Sequence, residues 1–126
     1  MFSGKKVLIV DDSKAERQIL AQYLQKMGFV VYEAENGLEG LEKSQEIMPD
    51  LICMDILMPG GFNGFQAIRA IYQKEELKHI PIILCTSKNE EKDRLWGKKQ
   101  GAAAFIVKPI KEDIFVETVK DVLRRD

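Results

Sequence analysis

Residues 7–13 read VLIVDDS, four consecutive apolar side chains followed by two carboxylates and a hydroxyl. An apolar run that short, closed by charge, describes a strand buried on both faces whose carboxyl end opens toward solvent. Ser13 then stands where a helix N-cap is needed. Ile19, Leu20, Tyr23, Leu24 and Met27 follow at helical spacing until Gly28 provides the stop. A strand, an acidic turn and a helix are thus compressed into the first 28 residues, and the same unit recurs.

β-branched runs lie at residues 6–10, 29–34, 51–55, 82–86 and 104–107. Between them the spacing predicts a second helix after Asn36-Gly37, marked by Leu38, Leu41 and Ile47 and ending before Pro49. A third is marked by Phe65, Ile68, Ile71 and Tyr72, and a fourth by Leu95 and Trp96. A fifth is lined by Ile114, Phe115, Thr118, Val119, Val122 and Leu123. Strand and helix alternate throughout, and the first, third and fourth strands are continuous apolar runs. The expected architecture is α/β, a (βα)5 doubly wound parallel sheet with helices on both faces. The longest irregular segment runs from Ile56 to Gly64.

The chain has 126 residues, room for one domain at about 150 residues per domain, so residues 1–126 are expected to form a single unit without an output domain. Nineteen Lys and Arg against twenty Asp and Glu leave a formal charge of −1, which argues against nucleic acid and anionic membrane as partners. The opening MFSGKK followed by VLIV is too short an apolar run for a signal peptide or a membrane span, which places the protein in the cytoplasm. Cys53 and Cys85 sit inside apolar runs without metal-ligand spacing, as small buried side chains do. His79 lies in a polar connection before Pro81 and reads as an exposed loop residue. The charged run 88–94 reads as a solvated helix face.

In open α/β sheets the ligand site lies beyond the carboxyl ends of the strands. The first strand ends in Asp11-Asp12 and the third in Asp55, so three carboxylates converge there. Like charges at that proximity raise one another's pKa unless a hard cation neutralises them, and magnesium suits a few carboxylates together with a phosphate. Helix capping explains Asp12 or Ser13 but does not call for an Asp at the end of the third strand. Thr86 closes the fourth strand and Lys108 the fifth, adding a hydroxyl and a cation to the same edge. A carboxylate that attacks phosphorus needs in-line access and neutralised equatorial oxygens, and Asp55 is the natural nucleophile.

With VLIVDDS, LICMDILMP, PIILCTS and GAAAFIVKP in this order, the chain resembles the CheY-like receiver domains of response regulators over essentially its whole length. The resemblance implies strand order 2-1-3-4-5, a flavodoxin-like arrangement. It implies Asp55 as phosphoacceptor and Asp11 and Asp12 as the acidic pair. Magnesium would be held by Asp12, Asp55 and the Leu57 carbonyl, with Asp11 acting through water, while Thr86 and Lys108 hold the phosphoryl group. It also implies a cis peptide between Lys108 and Pro109 and makes Phe105 the aromatic switch partner of Thr86; from its residues alone, Phe105 is an ordinary strand side chain packed under a helix. Two departures leave the inferred site untouched: Asn63 stands where Asp is common and Ile110 where Phe is frequent. MPGGFNG carries one residue more than the usual loop, an insertion that Gly60-Gly61 can absorb.

MPGGFNGFQAIRAI and SKNEEKDRLWGKKQGA are further similar to the PilH-type stand-alone regulators of type IV pilus motility. Trp96, Lys98, Lys99 and Gln100 then belong to the face such domains present to partners. Half-buried packing of Trp96 against the strand of Phe105 is the other reading. The resemblance implies a monomeric signalling module rather than an enzyme, phosphorylated by a histidine kinase. It would be read by a downstream protein through the face made by the fourth helix, fifth strand and fifth helix. A phosphate sink that drains a shared kinase keeps the same chemistry. A haloacid-dehalogenase-type phosphatase would need Asp where Leu57 stands, and a flavodoxin would need a hydroxyl- and glycine-rich loop where DDSKAE stands.

Overall fold

The computed structural model describes residues 2–58, 60–87 and 91–124. Strands and helices alternate as β1 (Lys6–Val10), α1 (Lys14–Lys26), β2 (Val30–Ala34), α2 (Gly37–Ile47), β3 (Leu51–Met54), α3 (Gly64–Tyr72), β4 (Ile82–Thr86), α4 (Glu91–Lys99), β5 (Ala104–Val107) and α5 (Glu112–Arg124), with a short 3-10 turn at Glu75–Leu77. All strand pairs are parallel, and the order across the sheet is β2-β1-β3-β4-β5. This is the expected doubly wound arrangement.

Successive residues of a strand point to opposite faces, and two cores result. Val7, Ile9, Cys53, Ile83 and Cys85 pack with Leu20 and Leu24 of α1 and with Phe115 and Val119 of α5. Leu8, Val10, Ile52, Met54 and Leu84 pack with Phe65, Ile68 and Ile71 of α3 on the other side. The central strands β3 and β4 are buried along their whole length, as continuous apolar runs require.

The helices expose several side chains that their periodicity would place inward. Ile19, Leu38, Leu95 and Ile114 all face solvent. In α2 the buried stripe is instead Gly37, Gly40 and Ser44. A side chain at Gly40 would stand 3.0 Å from the Val10 methyls, so the helix lies too close to the sheet for a larger residue. The same holds in α4, whose buried residues are Asp93 and Gly97. Residues 88–90 of the charged run lie outside the described residues. Asp93, one turn before Gly97, turns inward rather than forming part of a solvated face.

Ser13 caps α1 by accepting from the Glu16 amide at 3.2 Å. Asn63 caps α3 in a reciprocal box with Gln66, which suits Asn at this position as well as Asp. Gly60 and Gly61 both take positive φ, 88° and 71°, so the inserted residue is absorbed in the left-handed region. The loop closes where the Gly64 amide donates to the Ile56 carbonyl at 2.8 Å.

A Cβ at Gly64 would lie 2.4 Å from the Asp55 carbonyl oxygen and 2.8 Å from the Ile56 Cα. Both are backbone atoms that cannot yield. Gly64→Ala is expected to lose about 2–3 kcal/mol, read as a lower urea midpoint at unchanged slope. Gly60→Ala, with nothing within 4 Å of its Cβ, loses only about 1 kcal/mol through its positive φ. Equal losses in the two variants would contradict this account of the loop.

Candidate functional site

The polar residues of the site hang on the carboxyl ends of the sheet by backbone hydrogen bonds that continue the parallel ladder. The Asp11 amide donates to the Ala34 carbonyl at 3.1 Å, the Asp55 amide to Val10 at 2.9 Å, and the Lys108 amide to Thr86 at 2.8 Å. Asp55 thus lies one residue beyond β3 yet remains tied to β1. Because the strands end together, Asp11, Asp12 and Asp55 offer carboxylate oxygens within 4.8 Å of one another. Asp11 and Asp55 are buried, 2% and 6% exposed, and Thr86 is fully buried. Asp12 is exposed.

Lys108 reaches into this cluster. Its Nζ donates to Asp11 Oδ2 at 2.8 Å and stands 3.5 Å from Asp55 Oδ2. Burial pushes the Asp55 carboxyl above the ordinary carboxylate range, and the Asp11 charge adds to the rise. The Lys108 ammonium, the Thr86 hydroxyl and the Ile56 amide oppose it. For Lys108 burial works to lower the pKa, but the hydrogen bond to Asp11 and the charges of Asp55 and Asp11 prevail and hold the ammonium above its ordinary value. The cation is retained by the carboxylates it serves.

An all-oxygen set of three clustered carboxylates, one of them exposed, fits a hard divalent cation that keeps several waters. Leu57 lies two residues past Asp55 in the loop before α3, with its side chain exposed. The Lys108–Pro109 peptide is cis, as the family resemblance implies. Phe105 is half-buried on β5 under α4, with the Arg94 guanidinium 5.0 Å from its ring centroid. Trp96 faces outward instead of packing on that strand. His79 is exposed, remote in the fold from the acidic cluster, among Phe2, Lys5, Asp50 and Pro81. Cys53 and Cys85 are buried free thiols, and a hydrogen bond between them together with burial pushes the Cys85 thiol well up, as an inert core side chain requires.

Arg17 escaped the sequence reading. It is buried on α1, donates from Nη1 to the Asp11 carbonyl at 2.7 Å, and pairs through Nε with Glu33 of β2 at 2.8 Å. The signal was present, since Arg17, Leu20, Ala21 and Leu24 share one helical stripe. A charge on an otherwise apolar stripe marks a buried partner.

Residues 7–120 match the family described as the response regulator receiver domain. The chain is 43% identical over 118 residues to protein PilH of Pseudomonas aeruginosa, covering 94% of this chain and 97% of that protein. It is 41% identical over 120 residues to the transcriptional regulatory protein ResD of Bacillus subtilis, covering 95% of this chain but only 48% of that longer protein. Among solved structures it is similar to the chemotaxis protein CheY4 of Vibrio cholerae, with a TM-score of 0.89 at 33% identity, covering 95% of this chain and 99% of that one. The chain belongs to the response regulator receiver domain family.

Proposed function

We propose that this chain is a cytoplasmic, monomeric response regulator, a single receiver unit over residues 1–126 that takes a phosphoryl group on Asp55 from a histidine kinase. Receiver domains as a family bind Mg2+ and interact with histidine kinases and downstream partners. The observation that carries the reading is the convergence of Asp11, Asp12, Asp55 and Lys108 with the Thr86 hydroxyl at the ends of the strands. The similarity to PilH and CheY4 supports a receiver that acts on a partner protein. The name PilH supports a link to pilus-based motility, and the similarity to the chemotaxis protein CheY4 supports a chemotaxis-like pathway.

An Asp55 carboxylate oxygen attacks phosphorus, the P–N bond to the kinase histidine breaks, and the electron pair leaves on the imidazole nitrogen. Asp12, Asp55 and the Leu57 carbonyl would hold Mg2+, with Asp11 acting through water; the ion supplies neutralisation of the phosphoryl oxygens. Lys108 and Thr86 exchange their hydrogen bonds to Asp11 and Asp55 for bonds to the new phosphoryl oxygens. Thr86 moves toward that group and vacates volume into which Phe105 can turn, so the face formed by α4, β5 and α5 changes its fit to a partner.

Acetyl phosphate with Mg2+ should add one phosphoryl mass to the wild type and none to Asp55→Asn, as read by intact-mass spectrometry. Comparable label in the variant overturns the assignment. A carboxyl with raised pKa contributes stability that is complete below its ordinary 3.8 and is lost as pH rises through its folded value. Asp55→Asn in EDTA should therefore melt higher than the wild type at pH 7. The gap should close on acidification.

Mg2+ at ten times its Kd should stabilise the wild type by about 1.4 kcal/mol and leave Asp12→Ala unmoved in the same melting experiment. Thr86→Ala should still accept phosphate, because the nucleophile and acidic pair remain. Its amide NMR shifts around Phe105 on adding beryllium fluoride should be reduced. Undiminished shifts would place the coupling elsewhere.

A further inference from the structure

Asp11 is held at four points. Its amide donates to the Ala34 carbonyl at 3.1 Å, its Oδ1 accepts from the Ser13 amide at 2.9 Å, its Oδ2 accepts from Lys108 at 2.8 Å, and its carbonyl accepts from Arg17 Nη1 at 2.7 Å. Of these four bonds, only the last acts on the peptide plane that continues into Asp12. A peptide unit is planar, so fixing the Asp11 carbonyl oxygen fixes the direction in which the Asp12 Cα leaves the turn. Arg17 stands one turn into α1, its amide bonded to the Ser13 carbonyl at 3.0 Å, and helical side chains lean toward the N-terminus of their helix. The guanidinium is therefore delivered back beneath the acidic turn, where Nε is anchored on Glu33 of β2 at 2.8 Å. The Arg17 side chain is 9% exposed and that of Glu33 43%, so the cation is buried while its counter-ion keeps part of its hydration.

We propose that Arg17 is a positioning residue for the divalent cation, an assignment that rests on Asp11 and Asp12 holding Mg2+ in the receiver reading. It sets the orientation of the Asp11–Asp12 peptide, and through it the Asp12 carboxylate, acting on the backbone rather than by contact with the ion. Charge does not account for a guanidinium at this place. A buried cation beside three clustered carboxylates competes with a divalent ion for the same field, so through charge alone Arg17 weakens Mg2+ binding. Folding does not account for it either, since a buried ion pair can be exchanged for uncharged side chains of similar volume at little cost to stability. What an apolar side chain cannot replace is the donor to the Asp11 carbonyl. The geometric and electrostatic effects of Arg17 on the ion thus have opposite signs, and the sign of a substitution separates them.

Calorimetric titration of the full chain with MgCl2 at fixed ionic strength tests this. The Mg2+ concentration that half-saturates acetyl phosphate labelling of Asp55 is the second readout. Arg17→Met removes the donor and the positive charge together. Its Kd for Mg2+ should rise by about tenfold or more, and the half-saturating Mg2+ concentration by the same factor. The double variant Arg17→Met, Glu33→Gln restores the wild-type net charge and leaves no unpaired ion in the fold, so it carries the test if the single variant does not fold. Its Kd should rise as far. A cooperative urea transition, measured for each variant before titration, shows that folded protein is being titrated. An unchanged Kd reduces Arg17 to a fold contact, and a lower Kd makes it an electrostatic opponent of the ion. Wild-type affinity in the double variant assigns the loss to the unpaired Glu33. Each of these three results overturns the proposal. A wild type that binds Mg2+ but takes no phosphoryl group on Asp55 strikes the receiver reading alone, and one that binds no Mg2+ strikes both.

Discussion

The Lys108 ammonium holds the edge of the sheet together electrostatically. Two unit charges about 4 Å apart interact by about 4 kcal/mol at the effective dielectric of a protein surface. Three carboxylates within 4.8 Å of one another are therefore a standing cost to the fold. Lys108 offsets part of it by pairing with Asp11 and approaching Asp55. Its reach depends on strand order: β5 is the edge strand, and the side chain passes β4 to meet carboxylates carried by β3 and β1. Neighbouring strands are about 4.8 Å apart, so a shorter cation at position 108 would fall short of both.

That dependence also explains which parts of the fold are legible in the sequence. Buried parallel strands have to be apolar along their length, so polar residues are pushed to their ends, where they meet. Asp11, Asp55, Thr86 and Lys108 could be read as one group because each closes a different apolar run. The helices were less legible because their contacts are set by distance as well as by periodicity. Leu38 suggests an apolar face, yet Gly37, Gly40 and Ser44 form the buried stripe, with Phe62 and Ala67 crowding Gly37 and Val10 leaving no room beside Gly40. Ile19 and Ile114 lie beside the buried stripes of α1 and α5 rather than on them.

Arg17 shows the converse failure. A sequence reading ranks polar residues by whether they end strands, and Arg17 ends none. Its importance is geometric: it satisfies the Asp11 carbonyl from below while anchoring on Glu33. The backbone of the acidic turn is thereby held from the Ala34 side by the ladder and from the α1 side by a buried guanidinium. A planar group with several donors can serve both a carbonyl and a carboxylate, which the point charge of lysine does less well.

The route from the acidic cluster to α4 is short and physically contiguous. The Thr86 hydroxyl bonds to Asp55, and its carbonyl accepts the amide of Lys108. Three residues before Lys108, Phe105 lies 3.4 Å from where a Cβ on Gly97 would stand. A side chain at position 97 would both lift the helix from Leu84 and crowd the ring that Arg94 covers. That contiguity narrows where coupling can run. The outward stripe of Leu95 and Trp96 is on the same rigid helix as Gly97, within one turn of it. Any displacement of α4 caused by repacking of Phe105 must carry that stripe with it, because a nine-residue helix is too short to absorb the movement by bending.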